Sequence, residues 1–137
     1  MRRVGEYPLW IGTARDARDL RAVLDAGIEA VIDLAVNEPP AVLTRELAYL
    51  RFPLLDGPGN PPGLVRAAVA ALAELVRSRT PTLVACGFGL SRSPCVVAAA
   101  VAAVEGRTLA SVLPTLPGPC DVSPGMVKDV IDCLERN

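Results

Sequence analysis

The stretch that decides the fold is residues 82–94, Thr-Leu-Val-Ala-Cys-Gly-Phe-Gly-Leu-Ser-Arg-Ser-Pro. Its first four residues form a short apolar run, which predicts a buried strand that leads into Cys86. A loop with two glycines follows, and the nearly all-apolar residues 93–105 then predict a central, buried helix. A strand, a tight loop and a helix in this order indicate an α/β unit with a ligand site at the loop.

Outside this stretch, strand and helix patterns continue to alternate. Apolar patterning predicts strands at residues 4–7, 9–11, 30–34 and 47–54, and helices at 15–26, 64–79, 108–116 and from Ser123 onward. Residues 36–46, which contain Pro39 and Pro40, predict a loop with one or two helical turns. We therefore expect an α/β fold with a central, mostly parallel sheet of four to five strands and helices on both faces.

Length and composition indicate one domain that spans residues 1–137. The chain is 51% hydrophobic, with only two Phe, two Tyr and one Trp, so its core must consist mainly of Val, Leu, Ile and Ala. The longest apolar run, residues 95–104, is too short to cross a bilayer, and residues 1–11 lack the apolar core of a signal peptide. These observations favour a cytoplasmic protein.

The residue types that are missing exclude several kinds of chemistry. The chain has no histidine, which excludes Ser-His-Asp and Cys-His catalysis within it and disfavours a metal site. Its four cysteines show no C-x-x-C spacing, so a disulfide framework is not expected. A net charge of −1 without a basic cluster argues against nucleic acid or a membrane as partner. We expect no cofactor.

The loop after the predicted strand carries residues suited to binding and attacking a phosphoryl group. Backbone N–H groups of the loop and of the helix N-terminus would converge on an anion and favour the thiolate of Cys86, the candidate nucleophile. Arg92 is the candidate phosphate clamp, and Ser93 is the candidate hydroxyl that assists departure of the sulfur. The predicted phosphate-binding residues are Gly87, Phe88, Gly89, Leu90, Ser91 and Arg92. The alternative is a structural cysteine with Arg92 on the surface.

A phosphoryl-transfer site also needs a proton donor for the leaving oxygen. Asp56 lies in the Gly- and Pro-rich loop 56–63, after a predicted strand whose carboxyl end should share a sheet edge with Cys86. An ordinary turn aspartate is the alternative interpretation of Asp56. Asp33, inside an apolar strand, is predicted to be structural. Phe88 fits either a pocket wall or the core.

Together these residues resemble the dual-specificity phosphatases, a subclass of the cysteine-dependent tyrosine phosphatases. The family pattern is His-Cys-x5-Arg-Ser/Thr, with an aspartate on a separate upstream loop. By this resemblance Cys86 corresponds to the nucleophile and Arg92 to the phosphate-binding arginine. Ser93 corresponds to the hydroxyl residue and Asp56 to the general acid. Segments 9–12, 27–34, 56–60 and 122–124 also look like family segments, so the resemblance covers most of the chain.

The resemblance implies a tyrosine-phosphatase-like sheet and a metal-independent phosphomonoesterase. The implied substrate is phosphotyrosine, with phosphoserine and phosphothreonine as further candidates, and the implied intermediate is a phosphocysteine. The partners would be a phosphorylated protein or a small phosphomonoester, and phosphate or sulfate would occupy the loop.

Two departures from the family pattern bear on function. Ala85 stands where the family has a histidine that orients the loop, which leaves open a catalytically weak or inactive phosphate-binding module. The loop contains no lysine, which disfavours a highly anionic phosphoinositide. A third alternative is sulfur transfer or arsenate reduction on a different Cys-loop fold, although low-molecular-weight phosphatases and arsenate reductases usually have their cysteine near the N-terminus.

Overall fold

A five-stranded sheet forms the centre of the protein. The computed structural model describes residues 1–36, 38–41 and 46–135. The strands are β1 (Arg2–Arg3), β2 (Leu9–Thr13), β3 (Ala30–Ala35), β4 (Ala48–Leu54) and β5 (Thr82–Cys86). Their order across the sheet is β1-β2-β5-β3-β4, and only β1 pairs antiparallel with its neighbour. The predicted mostly parallel sheet of four to five strands is therefore confirmed.

Helices cover both faces of this sheet, as the sequence predicts. The helices are α1 (Ala14–Arg18), α2 (Leu20–Asp25), α3 (Pro62–Arg77), α4 (Arg92–Glu105), α5 (Leu109–Val112) and α6 (Pro124–Glu135), with a 3-10 turn at Leu113–Thr115 after α5. Helices α1 and α2 pack on one face in a smaller apolar cluster. The other four pack on the opposite face around the larger core. Helix α4 lies at the centre of that core, with residues 92–102 all buried.

Strand β5 contributes to both apolar clusters because successive side chains of a strand point to opposite faces. Leu83 and Ala85 pack in the smaller cluster with α1 and α2. Val84 and Cys86 pack in the larger core with α4. This alternation directs the Cys86 side chain to the face on which α4 begins, and the β5–α4 loop connects the two.

Three segments differ from their predicted form. Residues 4–7 form a turn, and the first strand is Arg2–Arg3 instead. The predicted helix 15–26 is divided at Asp19, whose side chain accepts a hydrogen bond from the Ala22 N–H and thereby caps α2. The predicted loop 36–46 lies only partly within the described residues, since 37 and 42–45 fall outside them. The described part of that loop contains no helix.

No single helix in the described ranges has the length and apolar character needed to cross a membrane. Arg92–Glu105 and Leu109–Thr115 meet that test only as a pair, with a bend of 109° between them.

The large core should dominate stability. Leu72 of α3 is fully buried in it, whereas Leu24 of α2 is 47% exposed. We expect Leu72→Ala to lower the free energy of unfolding by about 2–5 kcal/mol, because it removes buried methyl groups and leaves a cavity. The matched control Leu24→Ala should cost less than about 1 kcal/mol. Urea unfolding measures both, and equal losses would contradict this assignment of the core.

Candidate active site

The carboxyl ends of β4 and β5 bring the two predicted catalytic loops to one edge of the sheet. Strand β5 ends at Cys86 and β4 ends at Leu54, two residues before Asp56. Both strands pair in parallel with β3, so their ends point the same way. Cys86 and Asp56 line the same surface cavity. The predicted proximity of these two residues is thus observed.

The thiol of Cys86 lies at the bottom of this cavity. Cys86 is only 2% exposed, and its Sγ atom is 3.4 Å from the backbone nitrogen of Ser93, which donates to it from the first turn of α4. The hydroxyl of Ser93 is buried, and no partner for it occurs among the described residues. A helix N-terminus therefore faces the sulfur, and such a terminus favours negative charge.

Two glycines allow the loop between Cys86 and Arg92 to fold tightly. Gly89 has a φ of +69°, and a Cβ atom there would lie 2.8 Å from the carbonyl oxygen of Gly12. A Cβ atom on Gly87 would lie 2.9 Å from Nη2 of Arg92. Gly89 thus permits close packing against β2, and Gly87 makes room for the guanidinium.

Arg92 is a buried part of the site and not a surface residue. It is 8% exposed, and its Nη1 donates to the carbonyl oxygen of Leu54 at 3.0 Å. This bond orients the guanidinium beneath the loop and ties the first residue of α4 to the end of β4. The fixed planar group is suited to binding two oxygens of a phosphoryl group. The alternative of a surface arginine is wrong.

Asp56 is held by a residue that the sequence assigned only to phosphate binding. The hydroxyl of Ser91 donates to Oδ1 of Asp56 at 2.5 Å. The backbone N–H of Ser123, just before α6, donates to the same hydroxyl oxygen at 3.1 Å. The Ser91 oxygen therefore accepts one hydrogen bond, from Ser123, and uses its own O–H to donate to Asp56. Asp56 is therefore tied to residues 87–91 between β5 and α4, which we call the phosphate loop, and is not a free turn residue.

A second group of hydrogen bonds shapes the loop that carries Asp56. The amide of Asn60 accepts from the Leu55 N–H at 2.7 Å and donates to the carbonyls of Leu55 and Gly57 at 3.1 and 3.2 Å. It also donates at 3.1 Å to Oδ2 of Asp129, a residue of α6. Oδ1 of Asp129 accepts from the Gly59 N–H at 3.3 Å. Helix α6 therefore holds residues 55–61 between β4 and α3, which we call the acid loop, through Asp129.

Arg2 supports the phosphate loop from behind. Its guanidinium donates to the carbonyl of Gly89 at 2.9 Å and to those of Pro117 and Pro119 at 2.9 and 3.2 Å. The loop carbonyl of Leu90 accepts from the Asp121 N–H at 2.8 Å. Two carbonyls of the loop are thus bonded by groups outside it, which stabilises the loop conformation.

The cavity formed by these groups is small. It measures about 150 Å³ and is lined by Asp56, Cys86, Phe88, Leu90, Ser91, Arg92 and Asp121. This volume suits a group of the size of a phosphoryl group. A larger cavity of about 510 Å³ beside Tyr7 and Glu105 has no cysteine in its lining, so we assign the chemistry to the smaller one.

The structure also shows the surroundings of three other residues that the sequence singled out. Phe88 is 82% exposed on the cavity wall, so the core interpretation of this aromatic is wrong. Asp33 is structural, since its buried carboxylate accepts from the Tyr49 hydroxyl and the Ala35 N–H. Cys95 lies in the core, where burial, and then the charges of Asp56 and Asp129, raise the pKa of its thiol to about 12. The thiol of Cys95 is therefore inert near neutral pH.

The sequence did not reveal the supporting residues. Arg2, Asn60, Asp129 and the backbone of Ser123 act through hydrogen bonds to residues that lie far away in the chain, except for the local bonds of Asn60. Only Asn60 carried a signal, because an Asn beside two glycines and three prolines is typical of a turn closed by its own side chain. Ser123 was predicted only as the start of the last helix, and Arg2 and Asp129 have no local pattern.

Comparison with solved structures identifies the class of fold. No protein-family model and no curated protein sequence matches the chain. Human DUSP28 superposes with a TM-score of 0.78 at 24% identity, over 93% of this chain and 92% of that chain. A mouse protein assigned to the dual-specificity phosphatases, crystallised with zinc tungstate, gives 0.78 at 25% identity over 92% and 81%.

A third similar structure is the human tyrosine phosphatase-like serine/threonine/tyrosine-interacting protein. It gives a TM-score of 0.76 at 17% identity and covers 91% of this chain and 89% of that chain. The chain therefore has the α/β fold of the dual-specificity phosphatases. The resemblance drawn from Cys86, Arg92 and Asp56 is confirmed at the level of the fold.

The loop geometry predicts an unequal response to two glycine substitutions. We expect Gly89→Ala to lower the free energy of unfolding by about 1–3 kcal/mol, because alanine disfavours a positive φ and its Cβ meets the Gly12 carbonyl. The control Gly63→Ala, at the start of α3, places its Cβ 3.9 Å from Nη2 of Arg66, an ordinary contact distance, and should not destabilise. Urea unfolding compares the two, and a harmless Gly89→Ala would contradict the described loop.

Proposed function

We propose that the protein is a cysteine-dependent phosphomonoesterase that hydrolyses phosphotyrosine, with phosphoserine and phosphothreonine as further substrates. The observation that carries the proposal is the convergence of Cys86, Arg92 and Asp56 on one small cavity. A nucleophile, an oxyanion clamp and a proton donor are the three groups that such a reaction needs. The phosphatase fold supports the same class of reaction.

In the first step the Cys86 thiolate attacks phosphorus while the bond to the leaving oxygen breaks. The loop N–H groups and Arg92 stabilise the charge on the three non-bridging oxygens. Asp56 gives its proton to the leaving oxygen. Because Oδ1 of Asp56 accepts the Ser91 hydroxyl, Oδ2 is the oxygen that carries this proton. The products are the free alcohol or phenol and a phosphocysteine.

In the second step water attacks the phosphocysteine. Oδ2 of Asp56 takes the proton of that water, the new P–O bond forms, and the S–P bond breaks to regenerate the thiolate. The buried Ser93 hydroxyl, without a partner among the described residues, is available to stabilise the departing sulfur. Phosphate then leaves, and Asp56 is protonated for the next cycle.

The chemistry of the cavity favours a protein phosphomonoester over a polyphosphorylated lipid. Phe88 offers an aromatic face at the cavity wall, and Arg92 is the only cation among the lining residues that the structure describes. PTPMT1, which shares the fold at 16% identity and a TM-score of 0.68, has been solved with PI(5)P. The described lining of this cavity supplies no further cation for the additional charge of such a lipid.

A phosphate-binding module without turnover is the second candidate. Ala85 in place of the family's histidine favours it, since Ala85 is fully buried and offers no hydrogen bond to the loop. One structural neighbour is itself named a phosphatase-like interacting protein. The two candidates share the phosphate loop and differ only in turnover.

Hydrolysis of 4-nitrophenyl phosphate in the presence of a chelator separates these candidates. We expect the wild type to turn over, and Cys86→Ser to lose at least about 1000-fold in kcat/KM because the nucleophile is gone. The control Cys120→Ser changes an exposed thiol and should keep full activity. A wild type that binds phosphate without turnover would instead establish the binding module.

The role of Ser91 is tested through the leaving group. We expect Ser91→Ala to lower kcat/KM about tenfold for phenyl phosphate but much less for 4-nitrophenyl phosphate, since a poor leaving group depends more on the positioned acid. Adding Ser91→Ala to Asp56→Asn should have little further effect. The control Ser111→Ala removes an exposed hydroxyl on α5. Equal losses with both phosphates would show that Ser91 does not act through Asp56.

A further inference from the structure

Asp121 places a carboxylate at the edge of the catalytic cavity. This residue lines the cavity, is exposed to solvent and lies in the segment between α5 and α6. Its backbone N–H is bound to the carbonyl of Leu90 in the phosphate loop at 2.8 Å. The backbone of Asp121 is therefore attached to the phosphate loop, which keeps its side chain beside the cavity.

Few charged side chains line the cavity, so the carboxylate of Asp121 contributes strongly to the electrostatic potential there. Among the described lining residues, Asp121, Arg92 and the Cys86 thiolate are charged when substrate binds. Asp56 also lines the cavity but holds its proton in the first step of the proposed reaction. Part of the Arg92 guanidinium is already bonded to the Leu54 carbonyl. Arg2 lies behind the loop, is bonded to backbone carbonyls and is not among the lining residues. Once Arg92 has bound a phosphoryl dianion, the cavity edge is left net negative.

A negative edge discriminates between groups that lie next to the reacting phosphate. It repels a second phosphate or an acidic side chain and attracts an ammonium or guanidinium group. The interaction acts over several ångströms in a solvent-exposed setting, so it is modest in size and sensitive to salt.

Two exposed apolar side chains indicate that the neighbouring group belongs to a polypeptide. Phe88 in the phosphate loop is 82% exposed, and Leu55, next to Asp56 in the acid loop, is 49% exposed. They provide apolar contacts on the two loops that bound the cavity. A peptide backbone with mixed side chains can use such contacts together with the acidic edge, whereas a small polyanion cannot.

We infer that Asp121 is a specificity-determining residue, which selects phosphorylated polypeptides with Arg or Lys beside the phosphorylated side chain and disfavours substrates with a second phosphate. The inference rests on the proposed phosphomonoesterase function and names its substrate class. Asp121 takes no part in bond making or breaking and acts only through its charge.

Three phosphotyrosine peptides that differ only beside the phosphotyrosine test the inference. One carries Arg on both sides, one carries Glu, and one carries a second phosphotyrosine. We expect the wild type to favour the Arg peptide in kcat/KM over each of the other two. Asp121→Asn should reduce this preference about 1.5- to fivefold, the range of an exposed charge pair, and Asp121→Arg should reverse it. The difference should shrink in 1 M salt, because screening weakens a charge effect but not a steric one.

The control is Asp25→Asn, which makes the same charge change at an exposed position of α2, on the other face of the sheet. It should leave both the peptide preference and 4-nitrophenyl phosphate hydrolysis unchanged. The preference is a ratio of two kcat/KM values measured on the same protein, so a general change in activity cancels from it. The same ratio of Arg to Glu peptide in wild type and in both Asp121 variants would overturn the inference.

Binding of the same peptides to Cys86→Ser provides the independent measurement. A wild type that hydrolyses none of the peptides would overturn the proposed function, and the dissociation constants would still decide the preference. Tighter binding of the Arg peptide that weakens in Asp121→Asn supports the inference, whereas equal binding of the three peptides overturns it.

Discussion

The hydrogen bond from Arg92 to the Leu54 carbonyl is the interaction on which the site depends. It joins the first residue of α4 to the last residue of β4, and so connects the two loops that carry the nucleophile and the acid. A buried guanidinium without such a partner would be costly, which means that the arginine and the strand end stabilise each other's position. The remaining N–H groups of Arg92 are left for an anion.

A single helix organises the acid side of the site. The backbone of Ser123 reaches Ser91, and Asp129 one turn and a half further along binds Asn60 and Gly59. Both contacts come from the same end of the chain, so a shift of α6 would move Ser91 and the acid loop together. The geometry of the proton donor is therefore coupled to packing in the large core, where Met126 and Val130 of α6 are buried.

Local pattern was enough to predict the strand, loop and helix around Cys86, because each depends on apolar periodicity and on two glycines. It was also enough to place Asp56, since parallel strands have their carboxyl ends at one edge. Apolar periodicity did not predict helix ends that depend on a single polar side chain. Asp19 divides the predicted helix 15–26 because it caps α2. Periodicity failed again for Arg2 and Asp129, whose partners lie far away in sequence.

The position of Phe88 could not be predicted from local pattern either. An aromatic residue between two glycines suits both a core and a cavity wall, and only the course of the loop determines which it becomes. Its exposure follows from the tight turn at Gly89, which turns the loop toward β2 and leaves residue 88 outside.

The bonds that Arg2 makes to Gly89 and Pro117 join residues 87 and 115 positions apart, which has a consequence for the order of folding. Contacts between residues so distant in sequence lower the conformational entropy of the chain when the loop between them closes. They therefore tend to form after the local helices. The phosphate loop gains its support only when both ends of the chain have reached the sheet. Assembly of the anion site would therefore report completion of the native topology.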